Sequence, residues 1–262
     1  MEAKANVPDS EEVASGFIQP LFSNICFSSF LYRRRNISAK VATRRKEILT
    51  SSHVDSVWLQ VDNIWPGSQT ISDVFVDNEV FIKGKRVLEF GAGCALPSLV
   101  CILLGASVVT ITDFPAYGVL ENIEALIDSN NLRSQDCLIS VQAYKWGAPV
   151  DTLLTPTFQS GEINEYSLYQ VIILAELLWK DTFKYHHDLL QSCKDCLAQD
   201  GTVYVSFCHR ECESHRREDD MDFFTHAQRV FGFKYELYGT YPNKNYGFDE
   251  SDVDVMVYKM FM

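Results

Sequence analysis

Residues 87–97 read VLEFGAGCALP, and an acid, Asp113, follows twenty residues after Gly93. The stretch begins as a short apolar strand and turns at Gly91 and Gly93, which lack a Cβ and let the chain bend sharply and lie close to a ligand. A helix and then a second strand, residues 108–112, lead to the acid. This order predicts the nucleoside half of a cofactor site at the edge of an α/β sheet.

Strands and helices alternate through the rest of the chain, which predicts a parallel sheet with helices on both faces. Only a short segment, residues 238–252, joins the last two strands, and a connection without a helix implies an antiparallel hairpin. The predicted fold is therefore α/β, a Rossmann-like seven-strand sheet with a terminal antiparallel hairpin.

The element boundaries follow from apolar periodicity and from glycine and proline positions. Residues 150–166 are expected to form a long polar loop, and Asp200-Gly201 is expected to close the helix before the fifth strand. The strands are predicted at residues 86–90, 108–112, 138–144, 169–174, 202–207, 233–237 and 253–260, and the helices at residues 68–75, 97–104, 118–129, 186–197 and 222–230.

The chain is expected to divide into an N-terminal extension, residues 1–54, partly flexible, and one domain, residues 55–262. Residues 1–16 lack the apolar core of a signal peptide. The longest uncharged run, residues 94–112, contains a proline and a glycine that divide it into helix and strand, so no membrane span is expected. Eight cysteines without a secretory signal predict a reducing compartment, the cytoplasm.

The net charge of −12 makes nucleic acid an unlikely partner, because a field of that sign repels phosphate backbones. Residues 33–46 form a local exception, with a run of arginines and lysines. A solvated arm is the simpler interpretation of this run, and contact with an acidic partner or RNA is the alternative.

Several thiols and imidazoles can be drawn as a zinc site, but the spacing argues against it. Three residues separate Cys208 from Cys212, which is looser than most zinc clips, and the first pair of thiols lies in a helical pattern. Buried, inert thiols are therefore favoured and no metal is predicted. The residues concerned are Cys193, Cys196, Cys208, His209, Cys212 and His215.

Two features of the glycine turn favour S-adenosylmethionine (SAM) over a dinucleotide. Leu96 occupies the position where a dinucleotide enzyme needs a third glycine for close helix packing. Glu89 suits the ammonium of the methionine moiety and would be unfavourable beside a pyrophosphate, although a structural carboxylate is the alternative. Asp113 can accept hydrogen bonds from both ribose hydroxyls, as in NAD enzymes, and so does not discriminate.

Aromatic and acidic residues follow the third and fourth strands, at the edge where parallel sheets bind ligands. Trp146 suits a contact with adenine, and a core tryptophan is the alternative. Glu176 and Trp179 follow the fourth strand and are suited to orient and desolvate an amine. Their alternative roles are a structural carboxylate and a packing side chain.

Residues 65, 87–97, 113, 146–147 and 175–179 together resemble the lysine methyltransferases often called family 16, which use a seven-strand SAM fold. The resemblance spans residues 55–262. It extends toward the nicotinamide N-methyltransferase-like branch, which includes the fungal enzyme that methylates the N-terminal region of translation elongation factor one-alpha.

The chain departs from the family at three places: Ala95 stands in place of a third glycine, Glu176 and Trp179 stand in place of Asp with Tyr or Phe, and the spacing from Trp58 to Trp65 is longer than in the branch. A catalytic role is expected for Glu176 and Trp179. We expect Glu89 and Phe114 to line the same cofactor site. The resemblance implies that SAM contacts Trp65, Gly91, Ala92, Gly93, Asp113, Trp146 and Ala175.

The predicted activity is transfer of a methyl group from SAM to a protein amine, a lysine Nε or an N-terminal α-amine, with a translation elongation factor as one candidate. The amine must be neutral to react, and desolvation near Trp179, Trp65 and Phe114 would lower its pKa. Glu176 would hold the amine by a hydrogen bond, and whether it also removes the proton is left open. A monomer is expected.

Two other functions remain open on the same fold. A small-molecule N-methyltransferase of the nicotinamide type would use the aromatic segment, residues 17–32, as a lid over the pocket. A non-catalytic interaction protein would keep the fold and lose SAM binding.

Overall fold

The computed structural model describes residues 64–116, 118–154, 167–209, 217–242 and 254–262. All of them belong to one compact unit of the chain, residues 51–262. The expected extension over residues 1–54 and its boundary lie outside the described residues. No helix in the described part of the chain is long and apolar enough to cross a membrane.

Seven strands form a single sheet in the order β3-β2-β1-β4-β5-β7-β6. The first five strands pair in parallel, and β7 pairs antiparallel with both β5 and β6. The predicted α/β sheet with a terminal antiparallel hairpin is thereby confirmed. The strands are β1 (Arg86–Phe90), β2 (Val108–Asp113), β3 (Leu138–Ala143), β4 (Tyr169–Ala175), β5 (Leu197–Cys208), β6 (Lys234–Tyr241) and β7 (Val255–Phe261).

Six α-helices in the described residues connect or flank these strands. Short 3₁₀ turns lie at Glu79–Phe81, Leu132–Ser134 and Phe183–Tyr185, and a π-helical turn, Ala227–Phe231, follows the last helix. The helices are α1 (Pro66–Asp77), α2 (Leu96–Leu103), α3 (Val119–Ser129), α4 (Asp151–Leu154), α5 (His186–Cys196) and α6 (Arg217–His226).

The central strands are buried on both faces, as their continuous apolar runs predict. Every residue of β1 is buried. Leu88 and Phe90 enter one core with residues of α5 and α6. Because side chains alternate along a strand, Glu89 lies on the opposite face, where it contacts Ser98 of α2.

The fifth strand begins five residues earlier than predicted, and Asp200-Gly201 lies inside it and does not close the helix. Leu197 follows α5 in an extended conformation and pairs with Tyr169. The next pair is Val171 with Thr202, so the register shifts between Tyr169 and Val171 and β5 has extra residues in this stretch. At Gly201 an added Cβ would lie 2.8 Å from the Tyr169 carbonyl oxygen. The glycine therefore permits a close backbone approach within an irregular strand pair.

The expected loop over residues 150–166 begins with a helical turn, α4, and its residues 155–166 lie outside the described part of the chain. Leu153 and Leu154 of that turn are buried in the core beside α5. The start of this segment is therefore part of the folded core.

Tyr169 at the start of β4 joins three parts of the core through its hydroxyl. The side chain is fully buried, and its hydroxyl forms hydrogen bonds with Thr110 Oγ1 at 2.7 Å and with the Leu153 carbonyl oxygen. The guanidinium of Arg86 lies 5.1 Å from the centre of its ring. The hydroxyl thus satisfies polar groups on β2 and α4 that have no access to water.

Removing this hydroxyl should destabilise the fold. We expect Tyr169→Phe to lower the free energy of unfolding by about 1–3 kcal/mol, because buried partners lose their hydrogen bond. Urea denaturation followed by circular dichroism measures the change. Tyr235→Phe is the matched control, since that ring is only partly buried, and it should change stability by less than about 0.5 kcal/mol. Equal effects of the two changes would contradict the role of the Tyr169 hydroxyl.

Candidate active site

The site lies where the strand order reverses, between β1 and β4. The chain proceeds from β1 to β2 on one side and from β4 to β5 on the other, which leaves a crevice at the carboxyl ends of the two central strands. A Cβ added to Gly91, after β1, would lie 2.6 Å from Leu177 Cδ2 and 3.5 Å from Trp146 Cζ2. The segments that follow β1, β3 and β4 therefore meet at this point.

The loop after β1 has three residues in the left-handed region. Gly91 and Gly93 have φ of +59° and +52°, and Ala95 has φ of +56°. Ala95 occupies the position where the family resemblance expects a glycine, and its backbone has the left-handed conformation that glycine favours. The amide of Ala92 donates to the Thr112 carbonyl, which fixes the loop against the end of β2.

Asp113 ends β2 and binds the same loop through its carboxylate. One oxygen accepts the Gly93 N–H and the other accepts the Phe114 N–H, each at 2.7 Å. Burial raises the pKa of Asp113, and these two N–H groups oppose that rise. A carboxylate has about four acceptor positions, so capacity remains for ligand hydroxyls. The neighbouring Phe114 is 57 % exposed, so its side chain is accessible to a bound molecule.

Glu89 lies behind the loop and braces the start of α2. Its side chain is buried, and one carboxylate oxygen accepts hydrogen bonds from the Ser98 N–H at 3.1 Å and from the Ser98 hydroxyl. Burial raises the pKa of Glu89 to about 8, against the opposing hydrogen bonds from Ser98. The structural alternative weighed for this residue matches the observed contacts, and the predicted contact with the ammonium of SAM stays a prediction.

Trp146 follows β3 in a turn held by hydroxyl groups. The Gly147 N–H donates to Ser192 Oγ at 2.9 Å, and the Tyr144 hydroxyl donates to the Ala148 carbonyl at 2.7 Å. The half-buried Trp146 ring packs against the core, and its edge faces the Gly91 backbone. The packing role weighed from the sequence matches these contacts, and the predicted contact with adenine stays a prediction.

Glu176 and Trp179 follow β4 and point to different partners. Glu176 has φ of +59°, and its Oε1 accepts the Gly67 N–H at 2.7 Å. The half-buried Trp179 donates its indole N–H to Asp181 Oδ2 at 3.1 Å. Ala175, the last residue of β4, is buried and pairs with Ser206 of β5. These positions bring Glu176 to the interface with α1.

Trp65 lies directly before α1, at its N-cap position, so the predicted cofactor residue is next to the segment that Glu176 contacts. Sequence reasoning missed Gly67 and Ser206 in this region. Gly67 is a buried glycine in the first turn of a helix, a position where glycine costs helix stability, and that is a signal for a close approach of another group.

The thiols considered for a zinc site are buried in the described structure. Cys193, Cys196 and Cys208 form no disulfide bond within the described residues, and burial raises the pKa of Cys196 to about 12. Within the described ranges no group of three or more His, Cys, Asp or Glu side chains is placed to hold a metal ion. Cys212 and His215 lie outside the described residues.

A protein-family model described as lysine methyltransferase matches residues 46–230. The chain belongs to this family. The match confirms the family that the motifs indicated and the predicted class of enzyme, a SAM-dependent N-methyltransferase. Methylation of a protein amine is confirmed at the level of the family.

Curated relatives support this assignment. The chain is 28 % identical over 218 residues to a protein N-terminal and lysine N-methyltransferase, EFM7, of Cryptococcus neoformans, with 77 % of this chain and 69 % of that protein covered. The Schizosaccharomyces pombe protein of the same name is 30 % identical over 191 residues, covering 72 % of this chain and 69 % of its own length.

A solved structure shows the same fold. Magnesium protoporphyrin IX methyltransferase (ChlM) of Synechocystis PCC 6803, with S-adenosylhomocysteine (SAH) bound, matches at a TM-score of 0.50 and 11 % identity. The match covers 89 % of this chain and 99 % of that one. At this identity the likeness concerns the fold alone.

The raised pKa of Glu89 predicts how stability depends on pH. Between the ordinary value of 4.5 and about 8, the folded protein keeps a proton that the unfolded chain has released. The protonated side chain therefore makes its full contribution to stability below pH 4.5, its pKa in the unfolded chain. This contribution is lost as the pH rises to about 8, its pKa in the folded protein. We expect the unfolding free energy of Glu89→Gln to fall less across this range than that of the wild type, by at most about 1.4 kcal/mol per pH unit.

Urea denaturation at a series of pH values measures this difference. Glu121→Gln, which removes an exposed carboxylate from α3, is the control and should follow the wild-type curve. A Glu89→Gln curve that runs parallel to the wild type would show that Glu89 does not carry the extra proton.

Proposed function

We propose that the protein methylates an amine of a translation factor, at a lysine Nε or at the N-terminal α-amine, with SAM bound at the loop after β1. The observation that carries the proposal is the meeting of bare glycine backbone, the Asp113 carboxylate and the end of β4 in the crevice between β1 and β4. The relatives named protein N-terminal and lysine N-methyltransferases support both kinds of acceptor.

Several residues around the loop are suited to contacts with SAM. A Cβ at Gly91 would collide with Leu177, so the loop keeps bare backbone at this position. Asp113 would accept hydrogen bonds from the ribose hydroxyls, and Phe114 and Trp146 would contact the adenine. The remaining residues proposed to line the cofactor are Trp65, Glu89, Ala92, Gly93 and Ala175.

The acceptor amine is proposed to lie on the side of β4, near Glu176 and Trp179. When bound, SAM supplies a methyl group on a positively charged sulfur. The protein would align the amine with that methyl group, and alignment of this kind can contribute about 7–11 kcal/mol to a reaction. Trp179 and Trp65 would exclude water, which favours the neutral amine that the transfer needs.

The net charge of −12 favours a basic protein segment as acceptor, though a field of this kind affects association more than specificity. The cytoplasmic location and the monomeric state expected from the sequence stay predictions. They are consistent with an acceptor such as a translation factor.

Calorimetry with SAM and with NAD tests the cofactor. We expect SAM to bind and NAD not to bind. Asp113→Ala should weaken SAM binding by about 10- to 100-fold, because hydrogen bonds to a charged group contribute about 1.5–3 kcal/mol. Glu121→Gln should bind SAM like the wild type, and circular dichroism should show that both variants are folded. Binding of NAD in place of SAM would overturn the proposal.

Methyl transfer tests the acceptor. Radiolabelled SAM and the protein are incubated with purified translation elongation factor one-alpha, with the same factor blocked at its N-terminus, and with nicotinamide. We expect label in the unblocked factor, and mass spectrometry then assigns it to the α-amine or to lysine. Label in nicotinamide alone would favour the small-molecule enzyme. SAM binding without transfer to any protein in a whole-cell lysate would contradict a protein acceptor, and absence of SAM binding would favour the interaction protein.

A further inference from the structure

Helix α1 begins without a local cap. Its N-cap residue is Trp65, whose side chain makes no capping hydrogen bond, and its first turn contains no acid. Pro66 has no N–H, so the Gly67 amide is the first backbone donor of the helix. That donor is satisfied from 109 residues away along the chain, by Glu176 Oε1 at 2.7 Å.

The contact between Glu176 and α1 leaves no spare room. A Cβ on Gly67 would lie 2.7 Å from Glu176 Oε1, 2.9 Å from Glu176 Cγ and 2.9 Å from the Ser206 carbonyl oxygen. The same Ser206 oxygen accepts the Glu176 N–H at 2.8 Å. The helix start is therefore seated directly on the ends of β4 and β5, and only a glycine permits this distance.

The backbone of Glu176 supports the same contact. Its φ of +59° is unusual for a residue with a side chain and is unfavourable by about 1–2 kcal/mol. The carboxylate also faces the positive end of the α1 dipole, where a negative charge is favourable. A strained acid directed at a helix N-terminus is typical of a residue whose side-chain direction matters.

We propose that Glu176 is a positioning residue, which acts on methyl transfer by anchoring the amino end of α1, and with it Trp65, over the carboxyl ends of β4 and β5. The inference rests on the proposed function and deepens it. In this role the Glu176 carboxylate promotes methyl transfer by holding Gly67 and α1 in place. It does not need to remove a proton from the acceptor amine. Because a hydrogen-bond acceptor is all that the anchor needs, an amide oxygen can replace the carboxylate.

Two substitutions at position 176 distinguish a role of Glu176 in anchoring α1 from a role as the base that deprotonates the amine. Glu176→Gln retains an oxygen that accepts the Gly67 N–H, so its kcat/KM for the protein acceptor should stay within about fivefold of the wild type, the loss of charge at a helix end being a small effect. Glu176→Ala removes the acceptor, and its kcat/KM should fall on the order of 100-fold because the site is displaced.

A substitution on the helix tests the anchor from its other side. Gly67→Ala places a methyl group against Glu176 and the Ser206 backbone and should reproduce the loss seen in Glu176→Ala. Ser68→Ala changes the next residue of the same turn and is the matched control, with expected wild-type activity. The double variant of Gly67→Ala and Glu176→Ala should be little worse than either single variant, because both remove one interaction.

Hydrogen exchange gives a readout that does not depend on turnover. In the protein without ligands, exchange in a peptide covering residues 65–77 should rise about fivefold or more in Glu176→Ala, as expected for loss of a helix cap, and stay near wild type in Glu176→Gln. If Gly67→Ala fails to fold, the two variants at position 176 still decide the question.

A Glu176→Gln protein as inactive as Glu176→Ala, together with a fully active Gly67→Ala, would overturn the anchor and assign the carboxylate a direct role at the amine. Unchanged exchange in Glu176→Ala would overturn it as well. A wild-type protein that methylates no acceptor but shows the expected exchange pattern would contradict the proposed function and leave the anchor supported.

Discussion

The close approach of the Gly91 backbone to Leu177, where an added Cβ would lie 2.6 Å from the leucine side chain, is the constraint around which the site is built. Because the loop carries no side chain there, the segments after β1 and β4 can meet at the reversal of strand order. Gly93 then binds Asp113, which joins β2 to the same loop. A ligand in this crevice would lie beside this loop and the Asp113 carboxylate.

Three acids at this edge of the sheet each bind a backbone N–H of another segment. Glu89 accepts from Ser98 at the start of α2, Asp113 accepts from the glycine loop, and Glu176 accepts from the start of α1. Placing an acid away from water is unfavourable unless hydrogen bonds compensate, so each acid favours the position of the segment that it binds. The acids that border the crevice therefore also hold its walls.

Much of the fold could be predicted because it depends on local patterns. The β1 strand was predicted to the residue, since apolar residues precede a glycine turn. The β5 strand was not, because Leu197 pairs with Tyr169 through an irregular register that local periodicity does not encode. At Ala95 the residue type departs from the expected glycine, yet the backbone is left-handed there, which the residue type does not predict.

The sequence by itself determined the alternation of strands and helices, the glycine turn and the acids that follow β2 and β4, because these features depend on residues near one another in the chain. The tertiary structure alone decided which group each acid binds. Glu176 contacts Gly67 across 109 residues because β4 lies beside β5 and α1 begins over both. That neighbourhood follows from the order of strands in the sheet, and no local spacing in the sequence specifies it.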